Sequence, residues 1–194
     1  MLRLSKAAHI DKPWRIHAIA SDFRVEDVWA LPTPGGPDDF PRLVRQFADS
    51  NPVDTSRVVR ALFAIRWTLG EAFGWDRPDS GVGTRVRTLR DRLPADLLAA
   101  PPGPDLRMIP FKSVYLIDDE WVSEYANRTV HALLHIGWVP DEVSGGYRGQ
   151  LAILVKPNGV FGAAYLAAIA PVRRLIVYPS MIRMLGREWR SDDR

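Results

Sequence analysis

The chain contains no cysteine among its 194 residues, and only four of those residues are histidines. The missing thiols exclude disulfide bonds, thiolate nucleophiles and cysteine-ligated zinc, and they are typical of a reducing compartment. The chain also shows no charged start followed by an apolar run and a small-residue cleavage site, which is the pattern of a secretory signal. We therefore predict a cytoplasmic protein.

Lysine is scarce too, since only four of the 26 basic residues are lysines, and 23 carboxylates hold the net charge at +3. A nucleic-acid binder concentrates its basic residues on one surface. The densest such set in the first half of the chain is Arg85, Arg87, Arg90 and Arg92. A solvated, arginine-rich loop explains this set better than a phosphate site, so we predict no nucleic-acid partner.

No apolar run in the sequence reaches the roughly 20 residues that a membrane span needs. The most apolar segment, residues 159–172, ends at Arg173 and Arg174. This pattern predicts no membrane partner. Apolar residues make up 46% of the chain and charged residues 25%, as in ordinary globular proteins. A chain of this length predicts one domain, covering residues 1–194.

The first half of the chain predicts one strand and two helices. β-Branched and aromatic residues over 14–31 indicate a strand, which a proline- and glycine-rich turn ends. A short helix is predicted over 38–49. A clearer amphipathic helix follows over 54–73, with apolar residues at 3.6-residue spacing and Gly74 as its stop. Residues 76–110 form a long connection with one helical turn near 85–93.

The second half predicts an antiparallel meander and a C-terminal helix. Four strands are indicated at 111–117, 120–125, 129–139 and 149–156, with turn residues between them. The helix after residue 159 is apolar at nearly every position up to Ala170, which predicts burial. Pro171 and Pro179 predict kinks or a division into two pieces.

The third predicted strand alternates with a period of two. From residue 129 to 139 the even positions are apolar, and the odd positions include His131 and His135. Successive strand residues point to opposite faces, so the pattern predicts a sheet with one packed apolar wall and one wall that carries polar groups.

This order of elements is that of a helix-grip fold, an α+β class in which an antiparallel sheet wraps a long, kinked C-terminal helix. The segments ANRTVHALLHIGWV and GGYRGQLAILVKPNGVFGAAYLAAIAPVRRLIVYPSMIR resemble the bacterial family catalogued as domain of unknown function 2867. FRVEDVWALPTPGGPDDFP and LFAIRWTLGEAFGWD resemble its amino-terminal half. The resemblance covers most of the chain. It implies kinship with the Bet v 1 and START-like superfamily and a cavity for an apolar ligand, and it brings no catalytic residues.

The two histidines of the polar wall are candidate site residues. On one strand face they lie about 13 Å apart, four residues at about 3.3 Å each, which is too far to share one metal ion. We therefore predict no metal, and no other cofactor. Two interpretations of His131 and His135 remain open. They are hydrogen-bonded or half-exposed residues of the wall, or they grip a polar ligand group or move a proton.

Four other residues join the candidate set. Glu124 is flanked by strand residues, and its hairpin would lay it near His131, whereas Asp118 and Asp119 are predicted as a turn-exposed acidic patch. Arg66 lies on or beside the apolar stripe of the amphipathic helix and needs either water or a carboxylate partner. Tyr115 and Trp138 either line a pocket or belong to the core. The ligand-binding candidates are therefore His131, His135, Glu124, Tyr115, Arg66 and Trp138.

Three functions fit these patterns. The first is a binding module that holds a small hydrophobic or aromatic molecule between the sheet and the C-terminal helix. The second is an enzyme on the same cavity, with His131 or His135 and Glu124 or Tyr115 as acid and base for a cyclisation, hydration or isomerisation. The third is an interaction module whose arginine-rich terminal helix docks on a partner, and homodimer formation is left open.

Overall fold

The computed structural model describes residues 2–51, 60, 64, 81–83 and 86–191. Its six strands are β1 (Leu2–Leu4), β2 (Arg24–Ala30), β3 (Lys112–Leu116), β4 (Glu120–Ala126), β5 (Val130–Asp141) and β6 (Gly146–Pro157). They form one antiparallel sheet in the order β1-β2-β6-β5-β4-β3. The predicted meander is confirmed as β3 to β6, and its last two strands are longer than predicted.

The helices cover both faces of this sheet. They are α1 (Ala7–Ile10), α2 (Arg15–Ile19), α3 (Phe40–Asp49), α4 (Ala95–Ala99), α5 (Gly159–Val172) and α6 (Tyr178–Ser191). Short 3-10 helices lie at Pro37–Asp39 and Leu89–Arg92, and a π-helical turn lies at Arg173–Val177. The short helix predicted over 38–49 is confirmed. The amphipathic helix predicted over 54–73, with Arg66, lies outside the described residues.

The two faces of the sheet differ as the alternation in β5 predicts. The even residues of β5 belong to an apolar cluster beneath α3 and α6, with members such as Phe47, Trp121, Ile136, Trp138 and Trp189. The odd residues face a second cluster that α2 and residues 89–97 cover, with members such as Ile16, Leu89, Val122 and Leu133. Because both faces are covered, the polar side chains of the second face are buried.

The single strand predicted over 14–31 is wrong, because the structure divides this segment into α2 and β2. The carboxylate of Glu120 accepts hydrogen bonds from the backbone N–H groups of Arg15 and Ile16 at 2.8 and 3.0 Å. Negative charge at the start of a helix stabilises it. The helix therefore depends on a residue more than 100 positions away, which the local pattern does not show.

The C-terminal helix is continuous from Gly159 to Ser191, with the π turn in its middle. Pro171 lacks the N–H that would bond to the carbonyl four residues earlier, yet the helix continues through it into the π turn. The helix continues past Arg173 and Arg174. By length and composition it is the one helix among the described residues that could cross a membrane, and only 17% of its most apolar window is buried inside the protein.

The predicted burial of the apolar first half of this helix is wrong. Only Gly162, Leu166 and Ala170 are buried in α5, whereas α6 buries seven residues, including Leu185 and Trp189. Hydropathy predicted burial for α5, because α5 is the more apolar half. The structure places α3 against α6, so α6 is the half that is buried. Side chains of α3 donate hydrogen bonds to the carbonyl groups of Leu185 and Trp189 at 2.9 and 2.6 Å.

Two matched leucine substitutions on the C-terminal helix test this division. Leu185→Ala should lower the free energy of unfolding by about 2 to 5 kcal/mol, because the side chain is 1% exposed and its loss leaves a cavity. Leu175→Ala should change it by less than about 0.5 kcal/mol, because Leu175 is 76% exposed. Denaturant unfolding of both variants measures the difference, and equal losses would contradict the observed packing.

Candidate functional site

The pairing of β4 with β5 creates two Glu–His pairs on the polar face. Glu120 lies opposite Gly137, so His135 is its diagonal neighbour, within reach of a long side chain. The oxygen and nitrogen atoms are 3.2 Å apart. Four residues along each strand, Glu124 and His131 are diagonal neighbours in the same way, and their oxygen and nitrogen atoms are 2.9 Å apart. The spacing of four in both strands therefore gives two separate pairs.

Each carboxylate of these pairs also holds the beginning of a helix that covers the polar face. Glu120 accepts the first backbone N–H groups of α2. Glu124 accepts the backbone N–H of Leu89 at 2.9 Å and the hydroxyl of Thr88, at the start of the 3-10 helix. Both glutamates therefore fix the segments that lie on this face of the sheet.

These contacts keep both glutamates ionised. Burial by itself would raise the pKa of Glu120, but the adjacent His135 ring and hydrogen bonds from the Tyr115 hydroxyl at 2.5 Å and from the backbone of Arg15 together lower it. Burial would likewise raise the pKa of Glu124, but hydrogen bonds from His131, Thr88 and the backbone of Leu89 lower it. A general acid at neutral pH needs a raised pKa, and neither glutamate has one.

Three residues of the amino-terminal segment join His135 on the polar face. They are His9 of α1, His17 of α2 and Trp14, which lies between these two helices. The ring of His9 contacts the rings of His135 and His17 edge to face, with centroids 4.7 and 4.8 Å apart. Trp14 contacts His135 in the same way at 4.9 Å. Three of the four histidines of the chain therefore meet at one end of the sheet.

Several polar atoms of these residues, and of Gln150 on β6, are buried without a described hydrogen-bond partner. Both ring nitrogens of His9, the indole nitrogen of Trp14, the Nδ1 atom of His135 and the amide oxygen of Gln150 are buried without a hydrogen-bond partner in the described part of the chain. Buried polar atoms normally have partners in the protein, in water or in a ligand. Burial, with His135 and His17 nearby, lowers the pKa of His9 to about 2, so its imidazole is neutral. We call His9, Trp14, His135 and Gln150 the orphan cluster.

A cleft of about 350 Å³ opens beside the orphan cluster and shares Trp14 with it. Its lining also includes Lys12, Ile117, Asp119 and Glu120. Partial burial at the cleft, and then the charge of Glu120, raise the pKa of Asp119. The cleft therefore combines apolar surface with polar groups of both signs.

The cleft lies where the sequence did not predict a cavity. The expected position, between the sheet and the C-terminal helix, holds fully buried side chains such as Trp121, Ile136 and Trp189. We therefore place the candidate ligand site at the cleft, on the edge of the polar face.

The structure distributes the predicted site residues over several places. Trp138 lines the cleft, and its indole N–H donates to the carbonyl of Gly36 at 3.1 Å. His135 and Tyr115 contact Glu120, which also lines the cleft. The other described candidates, His131 and Glu124, are buried together against the 3-10 helix and lie outside the cleft lining. Arg66 lies outside the described residues.

Sequence reasoning missed Trp14 and His9, although one signal was available. A glycine within a strand often marks a close approach of another group. A Cβ atom at Gly137 would lie 2.5 Å from the ring of Trp14, so only glycine lets that ring lie across β5.

Asp118 and Asp119 are exposed in the turn between β3 and β4, as predicted.

A six-stranded antiparallel sheet with a long C-terminal helix against one face defines an α+β, helix-grip-like protein. The chain belongs to the family described as Protein of unknown function (DUF2867), which matches residues 19–180 and confirms the resemblance seen in the sequence. No curated protein and no solved structure matches the chain. The relation to the Bet v 1 and START-like superfamily stays a prediction.

The separation of the two Glu–His pairs leads to a prediction about metals. Protein purified without a metal-affinity tag should contain no stoichiometric metal at His131 and His135, because each histidine faces its own carboxylate. Elemental analysis, with thermal melts in the presence and absence of a chelator, checks this expectation. Zinc that is lost together with thermal stability would contradict the separation of the pairs.

The neutral state of His9 makes the stability of the fold depend on pH. In the unfolded chain its pKa returns to 6.5, whereas in the folded chain it is about 2, so the unfolded state takes up the proton first as the pH falls. From about pH 7.5 to about pH 5 this difference should remove about 2 kcal/mol of stability. Replacing His9 with leucine should remove that part of the pH dependence. Denaturant unfolding at both pH values measures it, and an unchanged pH dependence in His9→Leu would contradict the burial of a neutral imidazole.

Proposed function

We propose that this protein binds a small molecule with an apolar or aromatic body and a neutral polar group, in the cleft beside the orphan cluster. The proposal rests on one observation, that Trp14 belongs both to the lining of the cleft and to the orphan cluster. The volume of about 350 Å³ lies at the small end of the range for ligand sites. The absence of cysteine supports a reducing, cytoplasmic setting for this binding.

The chemistry of the orphan cluster supports a neutral polar group on the ligand. A neutral imidazole can donate one hydrogen bond and accept another, the indole of Trp14 can donate one, and the amide oxygen of Gln150 can accept one. A hydroxyl group can both donate and accept, and a carbonyl group can accept. The low pKa of His9 disfavours pairing with an anion, because its imidazole resists protonation.

Apolar contacts would come from the outer part of the cleft. Ile117, Val139 and the proline residues Pro13 and Pro140 line it, together with Trp14. Such a mixture of apolar walls and few polar groups is typical of small-molecule sites.

Acid–base catalysis receives less support from the same geometry. Glu120 accepts hydrogen bonds from two backbone N–H groups and from the Tyr115 hydroxyl, and its pKa is lowered. A carboxylate with these partners stabilises the fold and is poorly placed to take a proton from a substrate. Binding without chemistry therefore fits the described residues better.

The proposal is tested with a matched pair of tryptophan substitutions. Trp14 and Trp29 are both buried and both have an indole nitrogen without a described partner, but Trp29 lies on the opposite face of the sheet. A library of small hydroxyl- and carbonyl-bearing aromatic molecules is screened by ligand-observed NMR, alongside native mass spectrometry for a co-purified molecule.

For any molecule that binds, Trp14→Phe should weaken the affinity about fivefold, the effect of one hydrogen bond of about 1 kcal/mol. Trp29→Phe should leave the affinity unchanged, and thermal melts verify that both variants fold. Equal affinities in the three proteins would place the ligand elsewhere, and the absence of any binder would contradict the proposed function.

A further inference from the structure

The C-terminal helix exposes residues in two parts, which residues 176–182 separate. Within each part the exposed residues follow each other mostly at steps of three or four, and the two parts together form a stripe along the helix. They include Val160, Phe161, Ala164, Ala167, Ala168, Pro171 and Leu175 in the first part and Arg183, Arg187 and Arg190 in the second. At 1.5 Å per residue the stripe is about 45 Å long. We call it the exposed helix stripe.

The two arginines that interrupt the apolar segment in the sequence do not lie on this stripe. In the π turn, the Nε atom of Arg174 lies 2.6 Å from a carboxylate oxygen of Asp27. A guanidinium nitrogen of Arg173 lies 3.7 Å from a carboxylate oxygen of Glu26, and its side chain is 15% exposed. Both guanidinium groups therefore face β2, where the carboxylates of Glu26 and Asp27 balance their positive charges. The exposed helix stripe stays apolar from Val160 to Leu175.

The second part of the stripe is positively charged. Arg183, Arg187 and Arg190 line a cleft of about 310 Å³ together with Pro32 and Gly186. In the part of the chain that the structure describes, none of the three arginines has a carboxylate within ion-pair distance. Gly186 lies directly against Pro32, which fixes this part of the helix on the protein.

We propose that the exposed helix stripe binds flat on the surface of an anionic membrane. The apolar part would lie at the boundary between headgroups and acyl chains, and the three arginines would pair with anionic headgroups. The helix does not span the membrane in this arrangement, because Ile182, Leu185 and Trp189 on its opposite side are buried in the core of the protein.

The shape of the stripe favours a lipid surface over a protein groove. A groove that takes up a helix recognises large apolar anchors at every third or fourth position. Between Phe161 and Leu175, which are 14 positions apart, the exposed residues are Ala164, Ala167, Ala168 and Pro171, which offer no such anchor. A long, smooth stripe with charge of one sign at one end suits a planar, negatively charged surface.

The ligand cleft and the exposed helix stripe lie on different parts of the molecule, so their tests are independent. The full chain is mixed with vesicles of phosphatidylcholine alone or of phosphatidylcholine with phosphatidylserine, and the bound fraction is measured by sedimentation. The protein should bind the phosphatidylserine vesicles more tightly, and added salt should weaken that binding.

Two variants with matched controls locate the binding surface. The double variant Arg187→Gln/Arg190→Gln should lower the partition coefficient about 25-fold, at about fivefold for each arginine. Arg87→Gln, which removes an exposed arginine before the 3-10 helix, should leave it unchanged. Leu175→Gln should also weaken binding, whereas Leu98→Gln, at an exposed leucine of α4, should not.

Thermal melts of all variants verify that they fold. No binding to phosphatidylserine vesicles would overturn the proposal, and so would equal losses in the variants and their controls. Binding of similar strength to both kinds of vesicle would overturn the role of the arginines and with it the proposed anionic surface.

Discussion

The buried carboxylate of Glu120 is the interaction on which the polar face of this protein depends. An ionised group can stay buried only if several donors compensate its lost hydration. Glu120 has such donors in the Tyr115 hydroxyl and in the first backbone N–H groups of α2, and the His135 ring lies 3.2 Å from it. One side chain therefore joins two neighbouring strands to the amino-terminal segment. The two backbone groups that it holds, those of Arg15 and Ile16, come directly after Trp14 in the chain.

The same interaction separates structural from functional roles among the polar residues. Carboxylates and histidines that look like an acid–base set in the sequence are used to hold helices onto the sheet, as Glu124 and His131 do at the 3-10 helix. The polar atoms of His9, Trp14 and Gln150 that have no described partner gather beside the cleft. A site built from neutral donors and acceptors selects a ligand by hydrogen-bond pattern more than by charge.

The sequence predicts those features of this fold that depend on local periodicity. The strands β3 to β6 and the two unlike faces of β5 follow from alternation, which holds whatever packs against the sheet. Features that depend on distant partners escaped prediction. The helix α2 needs Glu120 from another part of the chain, and the exposure of α5 depends on where α3 lies. The candidate His131 has the right chemistry for a site, but the pairing of β4 with β5 directs it to Glu124.

The π turn at Arg173–Val177 has a consequence for how this helix tolerates change in its length. A π turn contains one residue more than an α-helical turn, and each residue rotates an α-helix by about 100°. Because the π turn fits this additional residue into one turn, loss of a single residue there would leave an ordinary α-helical turn, and α6 would keep the side that faces the core. Loss of one residue within α6 before Trp189 would instead rotate the residues that follow by about 100°, and Trp189 would leave the core. Single-residue deletions should therefore be better accepted within the π turn than within α6.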